Sequence, residues 1–161
     1  MIVYFHTDFH QVYTADPAAS AGRMEAIVDA VAPHVEIRTF PPAPAADIEA
    51  VHTKRHIERV RRQGLYDMAA LAAGGAIQAA ETGMEEPSFG LIRPPGHHAS
   101  ADGSWGFCYF NNMAVSLHRL RSAGRVEEVF ILDFDLHFGD GTVNILGPEP
   151  WVEILNPRSR D

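Results

Sequence analysis

Val129-Phe130-Ile131-Leu132-Asp133-Phe134-Asp135-Leu136-His137-Phe138-Gly139-Asp140-Gly141 sets three acids and an imidazole at the exit of a strongly apolar run. The four apolar residues read as a buried parallel strand, and an extended chain continued through Leu136 puts Asp133, Asp135 and His137 on one face. Burying ionised carboxylates without partners is costly, so the pattern points to a bound divalent cation. Carboxylate oxygen plus imidazole nitrogen suits Zn or Fe(II) better than Ca, which takes more oxygens. The plainer alternative is a strand-end Asp capping the next helix beside a hydrogen-bonded histidine.

Outward from this stretch, short β-like runs alternate with longer helical ones, as in an α/β parallel sheet. Strands are expected over Ile2 to Phe5, Val35 to Phe40, Phe89 to Arg93, Val129 to Leu132 and Trp151 to Leu155. Helices are expected over Ala21 to Val31, Lys54 to Arg62, Met68 to Glu81 and Asn111 to Arg121, with a short one near Ile48 capped by Asp47. Pro41-Pro42-Ala43-Pro44 is a rigid connector. Gly74-Gly75, inside an alanine-rich helix, reads as close packing against a neighbour, and Lys54, Arg55, Arg59, Arg61 and Arg62 as a solvated helix face.

The chain has 161 residues, the size of one domain, and a formal net charge of -8. That charge disfavours nucleic acid and anionic membranes and favours a cationic substrate. Cys108 is the only cysteine, so a reducing, cytoplasmic setting is expected. No run approaches a membrane span.

A second constellation follows the third expected strand. Arg93-Pro94-Pro95-Gly96-His97-His98 ends in adjacent histidines whose approach is fixed by prolines. Like the acidic cluster, it lies beyond the carboxyl end of a strand, where ligands collect in open α/β sheets. Asp133 and Asp140 are free to orient the two imidazoles if Asp135 and His137 hold metal, giving two His-Asp dyads beside a cation. This arrangement suits metal-assisted hydrolysis, with the ion polarising a carbonyl and acidifying a water while an imidazole takes and returns the proton.

Three motifs in order, Arg93 through Ala99, Gly106-Phe107-Cys108-Tyr109-Phe110-Asn111-Asn112 and Asp133 through Gly141, resemble the histone deacetylase and acetylpolyamine amidohydrolase superfamily. Weaker likeness runs through Arg23, His52-Thr53 and Tyr66 to Ala76. The resemblance implies an arginase/deacetylase-like parallel sheet with flanking helices around Zn2+ or Fe2+, with a structural K+ near Asp133, Asp135 and His137. It implies metal ligation by Asp135 and His137, and His98 as general base and acid oriented by Asp140. By the same likeness His97, paired with Asp133, is expected to be the electrostatic partner. The resemblance further implies that Gly106 offers a carbonyl to the substrate amide, that Phe107 forms a tunnel wall, and that Arg23 matches an arginine beneath the metal. From the residues alone, Phe107 and Trp105 read as core or lid packing.

The family also uses a third ligand, a downstream aspartate, and an oxyanion tyrosine, neither of which this sequence supplies. Residues 1–161 are therefore expected to be the N-terminal part of a single catalytic domain, truncated or split, with a gap in its sheet, weak metal binding and possible self-association. His6, Asp8 and His10, with a period of two, are either a substitute ligand source or a polar loop. The implied activity is deacetylation of a small acetylated amine such as an acetylpolyamine, or of N-acetyl-lysine. The short link Arg61-Arg62-Gln63-Gly64 favours the small amine over a peptide. The other readings are an inactive pseudoenzyme or assembly module, and a ureohydrolase-like two-metal hydrolase.

Overall fold

The computed structural model describes residues 1–156. Among the described residues, five parallel strands form two separate sheets. In the first, β1 (Ile2–Tyr4) is flanked by β2 (Glu36–Arg38) and β3 (Ser88–Gly90); in the second, β4 (Val129–Leu132) pairs with β5 (Val152–Leu155). Every residue of central β1 is buried, whereas every residue of edge strand β2 is exposed. The helices are α1 (Arg23–Val31), α2 (Ala45–Glu49), α3 (Lys54–Arg62), α4 (Tyr66–Gly83), α5 (Asn112–Ser122) and α6 (Asp140–Leu146).

The core is organised by α4, whose small residues let neighbours approach its axis. A Cβ on Gly74 would run into the carbonyl oxygen of Pro41, and one on Gly75 would meet Ile92 and Phe40. Close packing, as read from the sequence, is therefore what these glycines permit. Ala70 also accepts a hydrogen bond from the Ala43 N–H across 2.8 Å, docking the proline-rich connector on the helix. One cluster, centred on Phe9, Met24, Phe40 and β1, fills the space around the first sheet, and another, with Phe110, Val115, Ile131 and Leu146, lies around α5 and β4.

Four expectations change. The helix near Ile48 begins at Ala45 after Pro44, so Asp47 lies within its first turn and pairs with Arg119 across 2.8 Å instead of capping. The strand expected through Arg93 stops at Gly90. Residues Thr7–His10 form a 3-10 turn with His6 as its cap, so His6, Asp8 and His10 do not share an extended face. The run Val129–Leu132 is a parallel strand, but only Ile131 is buried; Phe130 and Leu132 are more than half exposed because no described residue covers their face.

Leu132 borders a trough between the sheets. Adjoining cavities of ≈ 570 and ≈ 460 Å³ share Pro95, Gly96, His97 and Met113; the first runs along Ile131 and Leu132 of β4, the second reaches Ser88 and Gly90 of β3. Among the described residues the sheet is divided by a gap, as expected, with β3 and β4 each offering an unpaired edge.

Candidate active site

Strand β4 ends at Leu132, and the chain then bends instead of staying extended. Asp133 Oδ1 accepts the N–H of Asp135 across 3.1 Å, and Asp135 Oδ1 accepts the N–H of His137 across 2.8 Å. Aspartate side chains competing for nearby amides favour this turn chemistry over continued strand. Asp133, Asp135 and His137 are therefore gathered by successive side-chain turns, correcting the single extended face expected from their spacing.

The same turns leave the outer oxygen of Asp133 free. Asp133 Oδ2 lies 3.0 Å from His97 Nδ1, and Asp140 Oδ1 lies 2.6 Å from His98 Nδ1. The two imidazoles adjoin with centroids 4.0 Å apart, and the His137 ring lies 6.1 Å from that of His98. His137 Nδ1 faces Asp135 Oδ1 at 3.2 Å. With both dyad carboxylates ionised, each histidine donates Nδ1–H, leaving Nε2 as the acceptor.

Electrostatics keeps two of the acids charged. For Asp135, the hydrogen bond from the His137 N–H lowers the carboxyl below its usual range; burial opposes this, and His97 and His137 assist. For Asp140, burial pushes upward, but donation from Trp105 and His98 outweighs it and the carboxyl is lowered.

A buried polar frame holds the histidine loop. Asn111 caps α5 by accepting the Ala114 N–H, while its amide donates to Ala99 O and Thr142 Oγ1, each across 3.1 Å. The Thr142 N–H donates to His97 O across 3.0 Å, tying α6 to the loop. Asn112 donates to Pro94 O, and the His98 N–H to Cys108 Sγ. Burial raises the Cys108 thiol to about 12, so the sulfur serves as a neutral packing group rather than a thiolate. Asn156 joins the two ends of the loop between β4 and α6, accepting from Gly139 N–H and donating to Asp133 O.

Residues 18–156 match the family model described as histone deacetylase domain. The chain belongs to the histone deacetylase family. It is 32% identical over 156 residues to the histone deacetylase-like amidohydrolase of Pseudomonas aeruginosa, covering 78% of this chain and 41% of that protein. It is 38% identical over 146 residues to a probable deacetylase of Methanothermobacter thermautotrophicus, covering 78% and 44%. The crystal structure of the HDA15 HD domain superposes with a TM-score of 0.84 at 26% identity, over 96% of this chain and 53% of that one. The deacetylase-family chain thus spans less than half the length of these two curated relatives. Its parallel sheets and flanking helices are of the arginase/deacetylase type.

Within this deacetylase fold, two sites differ from expectation. Trp105 and Phe107 are about half exposed, 56% and 46%, so neither is core packing. Arg23 is directed to Ala18 O at an exposed position, whereas the deeply buried arginine is Arg93, which donates to the carbonyls of Ala18, Ser20 and Gln11. The basic face of α3 is partly engaged: Arg55 pairs with Asp102, Arg59 donates to Asp102 O, and the Arg61 guanidinium lies over the Tyr66 ring.

The metal question turns on donors. Asp135 and His137 sit side by side as an oxygen and a nitrogen suited to Zn or Fe(II). Among the described residues no group of three His, Cys, Asp or Glu could hold an ion. His6, Asp8 and His10 therefore provide no such grouping. No helix among the described residues is long and apolar enough to cross a membrane.

Sequence reading placed Asn111 and Asn112 in a stretch of resemblance without giving either a role, and it passed over the frame residues Thr142 and Asn156. Asn111 opening a helix carried a capping signal. The rest are long-range partners that no local pattern announces.

Proposed function

We propose that this chain is the acid–base part of a metal-dependent deacetylase domain acting on acetylated amines. The observation that supports it is the pair of dyads, His97 with Asp133 and His98 with Asp140, beside Asp135 and His137. When bound by Asp135, His137 and a further donor, Zn2+ or Fe2+ supplies Lewis acidity to the scissile carbonyl and to water. His98 Nε2 takes the proton of the attacking water and returns it to the departing amine, while Asp140 stabilises the imidazolium through Nδ1–H. His97, similarly oriented by Asp133, places a second polar ring beside the developing charge. Gly106 O accepts the substrate amide N–H, and Phe107 forms one wall of the acyl channel.

The remaining donor and the oxyanion group are supplied, in this reading, by sequence corresponding to the second half of the longer relatives, filling the trough between β3 and β4. A small acetylated amine, such as an acetylpolyamine, is preferred to a peptide, consistent with the charge of -8. A second reading, an inactive binding module, is favoured by the lack of a three-donor group among the described residues.

The test is turnover of acetylated polyamines and a fluorogenic acetyl-lysine substrate by the metal-loaded chain. It is assayed alone and mixed with a polypeptide spanning the second half of the Methanothermobacter relative. The deacetylase reading expects turnover in the mixture that disappears with His98→Ala. A metal-loaded, associated mixture without turnover would establish the binding-module reading instead.

A further inference from the structure

The indole of Trp105 lies on the imidazole of His98, with centroids 3.7 Å apart and 28° between planes. Its Nε1–H donates to Asp140 Oδ2 across 2.9 Å, while His98 Nδ1–H donates to Oδ1 of the same carboxylate. Three groups thus close a ring of contacts: carboxylate to imidazole, imidazole to indole, indole to carboxylate. Fixing any two of them constrains the third.

The dyad has a use for such a brace. The Asp140 side chain is 41% exposed, so water can compete for its oxygens, whereas the stacked His98 side chain is 4% exposed. A carboxylate held on both oxygens keeps its plane and so keeps the imidazole edge pointed.

The backbone after Trp105 is committed to this arrangement. Gly106 has φ +56°, and a Cβ there would meet His98 Cδ2 at 2.5 Å. Phe107 follows at φ 66°, a left-handed conformation that disfavours a non-glycine residue and persists only where its surroundings impose it. These two residues turn the chain immediately after the indole has folded over His98.

We propose that Trp105 is a positioning residue for the His98–Asp140 dyad, holding the carboxylate by its N–H and the imidazole by stacking, so that His98 presents Nε2 to substrate. The inference rests on the deacetylase reading for its catalytic consequence, but its geometry can be tested without turnover.

The first experiment is nuclear magnetic resonance of the isotopically labelled full chain. Trp151 is an internal control, because its indole donates to Glu149 rather than to the dyad. In Asp140→Ala the Trp105 indole N–H signal shifts and that of Trp151 stays in place. The His98 nitrogens show the Nδ1–H form in the parent and a mixture of tautomers in Trp105→Leu, with Trp105→Phe, which retains a ring but no donor, between them. An unmoved Trp105 signal, or an unchanged His98 tautomer in Trp105→Leu, overturns the proposal.

In the complemented assay, Trp105→Leu lowers kcat about tenfold with KM unchanged, the size expected when one hydrogen bond to a charged group is lost, and Trp105→Phe recovers part of that loss. Full kcat in Trp105→Leu would refute the positioning role. If the spectra respond as described and even the parent mixture fails to turn over, the function reading fails and the geometric role of Trp105 stands.

Discussion

The backbone N–H of Asn111 donates to Nε2 of His52 across 2.9 Å, fixing which nitrogen of that buried ring is bare. Its other nitrogen donates to Ser100 O across 3.0 Å. His52 therefore bridges the loop just after His98 to the cap of α5, and it does so only when neutral. Burial, then the neighbouring His56, depress its pKa to about 4 from 6.5.

A pH dependence follows. Above pH about 6.5 the ring is neutral in both folded and unfolded states; as pH falls towards 4 the unfolded chain gains a proton that the folded one refuses. The stabilisation is complete above the unfolded pKa and is lost across that window, by about 3 kcal/mol at 1.36 kcal/mol per unit. Urea unfolding at pH 7 and pH 4 should show the parent losing about that much more than His52→Gln. Parallel losses would show that His52 is not the group responsible.

How much of this was legible in the sequence depends on the range of each interaction. The β4 run, the α4 and α5 helices and the His97-His98 pair were readable because local periodicity and proline punctuation create them. The pairing of each histidine with its aspartate could be posed from residue types, and the contacts found are His97 to Asp133 and His98 to Asp140. Exposure of Phe130 and Leu132 was not readable, because apolar composition marks a face to be covered without saying what covers it. The turns at Asp133 and Asp135 were misread because period-two spacing cannot distinguish a strand from successive side-chain turns.

Gly74 offers a direct test of close packing. Its missing Cβ is where the Pro41 carbonyl oxygen and the Ala43 N–H sit, both backbone groups that cannot rotate aside. Gly74→Ala should destabilise the fold by about 1–3 kcal/mol despite alanine's better helix propensity. Thermal unfolding of the variant measures this, and an unchanged or raised midpoint would mean the connector is not seated on α4.

The open edge of β4 should govern association. Phe130, Leu132 and Phe134 are 58%, 53% and 86% exposed, beside an unpaired strand edge, the combination that invites edge-to-edge pairing. Replacing Phe130 and Leu132 by Lys should reduce concentration-dependent light scattering while changing stability by no more than about 0.5 kcal/mol per site. Scattering that persists in the double variant would place self-association on another surface.

Metal affinity is the sharpest consequence of the donor count. Asp135 Oδ1 and His137 Nδ1 lie 3.2 Å apart, but no three-donor group exists among the described residues. Two protein donors bind a divalent ion more weakly than the three of a catalytic zinc site. Calorimetric titration with Zn2+ should therefore give weak binding to the chain alone, abolished by His137→Ala and strengthened when the complementary polypeptide is added. Tight stoichiometric zinc that survives His137→Ala would place the ion elsewhere and remove Asp135 and His137 from the proposed centre.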